Sequence, residues 1–115
     1  MKAYADIYKN GKPIFKAELA DSFFTRLSGL LGKKNLPEDG GMLIMPCRQV
    51  HTFFMKFPID LIFLTKEYKI TGIEQNVGKN RISGYYKEAC CVLETAKGAA
   101  AKAGLSEGDT LEIGV

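Results

Sequence analysis

Four ionisable side chains stand beside strongly apolar sequence and could carry chemistry: Arg26, His51, Asp60 and Glu94. Asp60 lies between Ile59 and Leu61 at the start of an apolar strand, where a bare carboxylate is costly to bury. It therefore needs a partner, and Arg26, Lys56 or backbone N–H groups could each supply one. Two readings follow: a general base or ligand contact in a barrel mouth, or a structural tie between elements. The structural tie is the commoner outcome, since buried ion pairs perturb carboxylates without doing chemistry. His51, the single histidine, precedes Thr52-Phe53-Phe54 and could act as an acid or base near neutral pH. A satisfied, partly buried histidine is its ordinary fate. Glu94 closes a strand ahead of a helix, where it could serve a site or meet the positive end of the helix dipole. Lys56, between Met55 and Phe57, could hold an anion in a cleft or reach past its neighbours to water. Met42, Met45, Met55 and the cluster Phe53, Phe54 and Phe57 could line an apolar pocket, although such residues usually fill a core.

Other chemistries are argued down. The chain has no Gly-x-Ser-x-Gly elbow, Walker loop or dinucleotide fingerprint. Its three cysteines, Cys47, Cys90 and Cys91, are odd in number, two are adjacent, and none form a Cys-x-x-Cys pair. They read as small buried hydrophobes in a reducing compartment, with neither a disulfide framework nor a metal site. No cofactor is expected. A cysteine nucleophile would require His51 to approach Cys47 in the fold, which is a weak idea. Net charge is +3, from 16 basic and 13 acidic residues spread along the chain. That mild excess argues against a nucleic-acid partner, because such domains usually concentrate basic charge in one run or on one face. The nearest approach is Lys79, Arg81 and Lys87, interleaved with Tyr85 and Tyr86, and a solvated loop is the plainer explanation.

The elements that must position these residues are short and mostly extended. Asn10-Gly11 between two alternating segments, 3–9 and 12–19, predicts an opening β-hairpin. Asp21 or Ser22 would then cap a short helix with Phe23, Leu27, Leu30 and Leu31 as its apolar stripe and Gly32 as its stop. Met42–Met45, Ile59–Thr65, Lys69–Val77, Ala89–Glu94 and Thr110–Gly114 read as strands. An alanine-rich helix is expected from about Ala96 to Ala103, ended by Gly104 with Leu105 as its apolar cap contact. Hence a single α+β, strand-rich domain over residues 1–115 is expected. Its mostly antiparallel, twisted sheet would curl toward a small barrel with two short helices.

Several of these segments, taken in order, resemble the bacterial and archaeal family catalogued as domain of unknown function 192. They are Arg26-Leu27-Ser28-Gly29-Leu30-Leu31-Gly32, Gly41-Met42-Leu43, Phe53-Phe54-Met55-Lys56, Ile59-Asp60-Leu61-Ile62-Phe63, Val92-Leu93-Glu94, and Gly98 through Gly104-Leu105 to Gly108-Asp109. The resemblance spans about residues 22–114, preceded by the hairpin. The family commonly has tryptophan at the place of Phe54, a polar Asn-Thr pair where Phe57 stands, and a glycine-containing turn where this chain has Glu67-Tyr68. The resemblance implies an architecture and supplies little chemistry.

Residues 1–10 lack the apolar core of a signal peptide and no apolar run reaches the ~20 residues of a membrane helix, so a cytoplasmic location is expected. The leading functional expectation is a non-catalytic domain. It would offer Arg26, His51, Phe54, Lys56, Asp60 and Glu94 to a small polar ligand or a protein partner. An acid/base enzyme using Asp60, Glu94 and His51 is the alternative, and RNA binding through the 79–87 loop is weaker still.

Overall fold

The structure is a computed structural model and describes residues 3–20, 36–53 and 55–114. The helix expected near 22–32, with Arg26, and the ring of Phe54 fall outside the described residues.

The Asn10-Gly11 turn forms as its chemistry requires, with φ of 52° and 77°, and joins β1 (Tyr4–Lys9) to β2 (Lys12–Ala20). The strands β3 (Gly40–Ile44), β4 (Ile59–Leu64), β5 (Ile70–Val77), β6 (Cys91–Ala96) and β7 (Glu112–Gly114) complete a sheet in the order β5-β4-β6-β3-β2-β1-β7. Every neighbouring pair is antiparallel except β2 with β3. The sheet curls into a half-barrel, and its two ends meet on one side. There Lys69 bridges Thr110, Ile70 N–H donates to the Asp109 carbonyl at 2.7 Å, and Gly108 N–H donates to the Ile70 carbonyl at 2.8 Å.

The one helix among the described residues, α1 (Ala99–Lys102), is a single turn and shorter than the alanine run predicts. Its C-terminal cap is the expected one. Gly104 takes a φ of 69°, its N–H donates to the Ala101 carbonyl, and the Leu105 N–H donates to the Ala100 carbonyl, each at 3.0 Å. The β4–β5 turn puts Tyr68 at a φ of 65°, a backbone shape better suited to glycine.

Apolar residues fall into two clusters, one on each face of the sheet. Ile7, Phe15, Leu43, Ile62, Leu64 and Leu93 pack with α1 on the inner face. Met42, Ile44, Leu61, Phe63 and Val92 pack on the other, with Val50 and the partly buried Tyr86. β4 is buried along its whole length because both of its faces are covered. Among the described residues no helix is long and apolar enough to cross a membrane.

Candidate functional site

Asp60 is fully buried and faces the inner cluster, in register with Thr95. Its Oδ1 accepts the Asn76 N–H at 2.9 Å and its Oδ2 accepts the Ala100 N–H at 3.0 Å. Both are backbone amides, and Lys56 is not among its described partners. Gly98, at the start of α1, provides no side-chain cap, so the carboxylate of a distant strand does that work. Asp60 thus fastens β4 to β5 and to α1, and it satisfies a helix-end amide that burial would otherwise orphan.

Glu94 is also buried, but it sits one register position along, opposite Leu61. Because successive strand residues face opposite ways, Glu94 lies on the outer face and Asp60 on the inner. The two carboxylates of the acid/base alternative therefore do not share a site. The same registers place Glu18, Met42 and Glu94 side by side across β2, β3 and β6. Glu18 is a second buried carboxylate there, and it is not among the site residues expected from the sequence.

His51 goes elsewhere. It pairs with Ile82 across an antiparallel bridge, and its ring stacks on Phe53 with centroids 5.1 Å apart. That bridge belongs to a longer zipper between two segments that look like loops in the sequence. Thr52 N–H donates to the Arg81 carbonyl at 2.9 Å, Ser83 N–H to Val50 at 2.8 Å, and Tyr86 N–H to Arg48 at 2.9 Å. Thr52 Oγ1 accepts the Arg81 N–H at 2.9 Å and donates to the Gly78 carbonyl at 2.6 Å. Gln49 Nε2 reaches the Ser83 carbonyl, and Arg48 Nε reaches that of Lys87. The result is a two-armed ribbon on the outside of the domain. Its inward residues, Val50, Thr52 and Ser83, are buried, while His51, Phe53, Arg81 and Ile82 face solvent.

Tyr86 anchors the ribbon. Its ring stacks on Phe63 at 4.2 Å and lies over Gly72, where a Cβ would come within 2.1 Å of the ring. The phenol donates to Glu74 at 2.8 Å, and the same carboxylate oxygen accepts the Gly84 N–H. Burial, and then the Glu74 carboxylate, push the Tyr86 phenol up to about 12. Tyr86 is thus part of the packing and is not a free stacking surface, unlike its neighbour Tyr85.

The ribbon and its flanks, residues 45–59 and 75–87, carry Arg48, Lys56, Lys79, Arg81 and Lys87 and no Asp or Glu. All five cations are exposed. Taking these five from the chain's net +3 leaves the remainder at −2. Among the described residues, the large exposed hydrophobics also concentrate here: Phe53 at 49%, Ile82 at 64% and Tyr85 at 64%. Pro58, Glu74, Val77, Lys79, Arg81 and Ile82 line a surface cleft at the base of the ribbon.

The thiols take structural places. Cys91 is fully buried, and burial pushes its thiol up to about 12. Cys47 is buried and donates to the Gln49 carbonyl at 3.3 Å. Among the described residues no group of His, Cys, Asp and Glu is arranged to hold a metal ion.

The sequence profile of DUF192, a family described as Uncharacterized ACR, matches residues 5–113. Two solved structures are similar throughout. A protein of unknown function from Novosphingobium aromaticivorans DSM 12444 is 22% identical with a TM-score of 0.81, covering 96% of this chain and 84% of that one. At that identity the likeness is one of fold. A protein from Sinorhizobium meliloti 1021, described as a candidate transcription regulator, is 26% identical with a TM-score of 0.81, covering 98% and 94%. No curated protein matches.

Proposed function

The chain belongs to the DUF192 family, and since that membership brings a fold without a chemistry, we propose from its own geometry that it is a non-catalytic binding domain for an anionic partner, with the 48–56/78–87 ribbon as its recognition surface. One observation carries this reading: five exposed cations share the ribbon and its flanks with exposed Phe53, Ile82 and Tyr85, and the Glu74 carboxylate beside them is engaged by the Tyr86 phenol and the Gly84 N–H. Solvated loops do not need large apolar side chains, and a concentration of them beside one sign of charge marks an interaction surface. Of the expected site residues, His51 and Lys56 belong to this surface. Asp60 is committed to holding the fold together, which supports a binding role over acid/base catalysis. The likeness to a protein described as a candidate transcription regulator is in keeping with a domain that binds and does not turn over substrate.

Retention on a sulfated polyanion column tests the reading. The Lys79→Glu/Arg81→Glu double variant should elute at clearly lower salt than the parent. The Lys12→Glu/Lys97→Glu variant, equal in net charge and exposed elsewhere, should elute close to the parent. Equal losses for the two doubles would mean that only net charge matters, and the assignment of the ribbon would be lost.

A further inference from the structure

We propose that the anion recognised by the ribbon is a single-stranded nucleic acid, held by phosphate contacts to the cations and by bases stacked on the exposed rings. This rests on the ribbon reading above and narrows it to one ligand chemistry.

A single strand presents two things in alternation, a phosphate charge and an unpaired planar base, and a protein that binds it needs cations and ring faces side by side. The ribbon has both. Lys79 and Arg81 alternate on the second arm, and both are exposed. On the first arm the Phe53 ring lies beside His51, with the two centroids 5.1 Å apart. The Phe53 ring is stacked on His51 through one face only, and the residue remains 49% exposed. Ile82 stands opposite His51 and gives a base edge an apolar floor. Tyr85 is 64% exposed further along the second arm.

The alternatives fit less well. An acidic protein partner would engage the charges, yet it has no general use for flat, exposed rings beside them. Duplex DNA hides its bases and is read by an element seated in a groove. The two arms are tied by main-chain bonds and by Tyr86, so the backbone that carries the rings is arranged without a ligand, which lowers the cost of binding.

Read from sequence alone, segment 79–87 looks like an ordinary loop with too few cations to matter. What alters that balance is the zipper, which lays a second basic and aromatic segment against it.

Fluorescence anisotropy with the intact protein and labelled 12-nucleotide RNA and DNA strands tests the inference, with the matching duplex and polyglutamate as competing anions. Single strands should bind at least tenfold more tightly than either competitor. Phe53→Ala and Tyr85→Ala should each weaken single-strand binding by roughly 5- to 150-fold, the range for one lost base stack, without altering its salt dependence. Lys79→Ala and Arg81→Ala should each reduce the slope of log affinity against log salt by about 0.7. Melting temperatures within about 2 °C of the parent would show that all four variants are folded. A preference for RNA over DNA would assign a contact to the 2′-hydroxyl, and equal affinity would place recognition in the bases and phosphates. Polyglutamate binding as tightly, with Phe53→Ala without effect, would overturn the nucleic-acid inference and leave the anion-binding surface standing. No binding to any of these anions at low salt would remove both.

Discussion

Asp60 and the ribbon are the two most polar features set against the apolar body of the domain, and they are opposite in kind. Asp60 has zero exposure, and each of its carboxylate oxygens is already bonded to a backbone amide. The ribbon keeps its main-chain groups satisfied but turns its cations and rings outward. A buried charge whose partners are all internal is finished and adds to stability. Groups that remain open to solvent have capacity left for something else. The residue that looks most catalytic in the sequence is therefore the one with nothing left to offer.

Breaking this contrast should produce its largest effect at Asp60. Asp60→Ala orphans two amide donors, each worth about 1–3 kcal/mol, so a loss of about 2–6 kcal/mol is expected in denaturant unfolding. Binding by whatever fraction stays folded should be unchanged. A stable Asp60→Ala protein that had lost polyanion binding would reverse the assignment of the two regions.

Tyr86 joins the ribbon to the sheet and comes next. Tyr86→Ala removes a half-buried ring from Phe63 and Gly72 and should cost about 2–4 kcal/mol, somewhat below the figure for a fully buried aromatic. Tyr86→Phe keeps the ring, loses the bond to Glu74, and should cost about 1 kcal/mol. If the two variants were equally unstable, the hydrogen bond and not the packing would be the anchor.

Alkaline pH offers a smaller, graded test. The Cys91 thiol is raised from 9.0 to about 12 and the Tyr86 phenol from 10.0 to about 12, so the folded protein holds both protons more tightly than the unfolded chain. Their contribution is complete below pH 9 and is lost as pH rises toward 12. Unfolding free energy should fall across that window, and Cys91→Ala should flatten the part between pH 9 and 10. Asp109 works in the other direction. Its carboxyl is held below the ordinary range by the Ser106 amide and then by Lys9, so its contribution disappears as the solution is acidified.

The smallest effect belongs to the ribbon itself. Lys79→Ala, Arg81→Ala and Phe53→Ala should each alter stability by no more than about 0.5 kcal/mol, as exposed side chains generally do. A loss several times larger would mean that the surface groups are structural after all.

What was legible in the sequence was what is local. The Asn10-Gly11 hairpin and the Gly104-Leu105 cap each depend on a few consecutive residues, and each forms where that chemistry places it. Apart from Asp60, the residues of β4 are apolar on both faces, which signals burial on both. The ribbon was hidden because its bonds join residues about thirty positions apart, and neither arm has the apolar alternation of a sheet strand. Only Val50-His51-Thr52-Phe53 shows buried and exposed residues in turn. The partners of Asp60 were hidden for a different reason: backbone amides are present at every residue, so a sequence cannot say which of them a carboxylate will find.

The pairing of β1 with β7 has a consequence for how the protein is made. These strands lie at opposite ends of the domain's sequence, and β7 covers the outer edge of β1 through Asp6, Ile7 and Tyr8. During synthesis the first hairpin emerges early, but that edge stays open until the last strand has left the ribosome. At about 5–20 residues per second the wait is roughly 5–20 s. Through that interval β1 is an unpaired edge of the kind that recruits other chains, and the charged side chains of Asp6 and Lys9 stand guard on it.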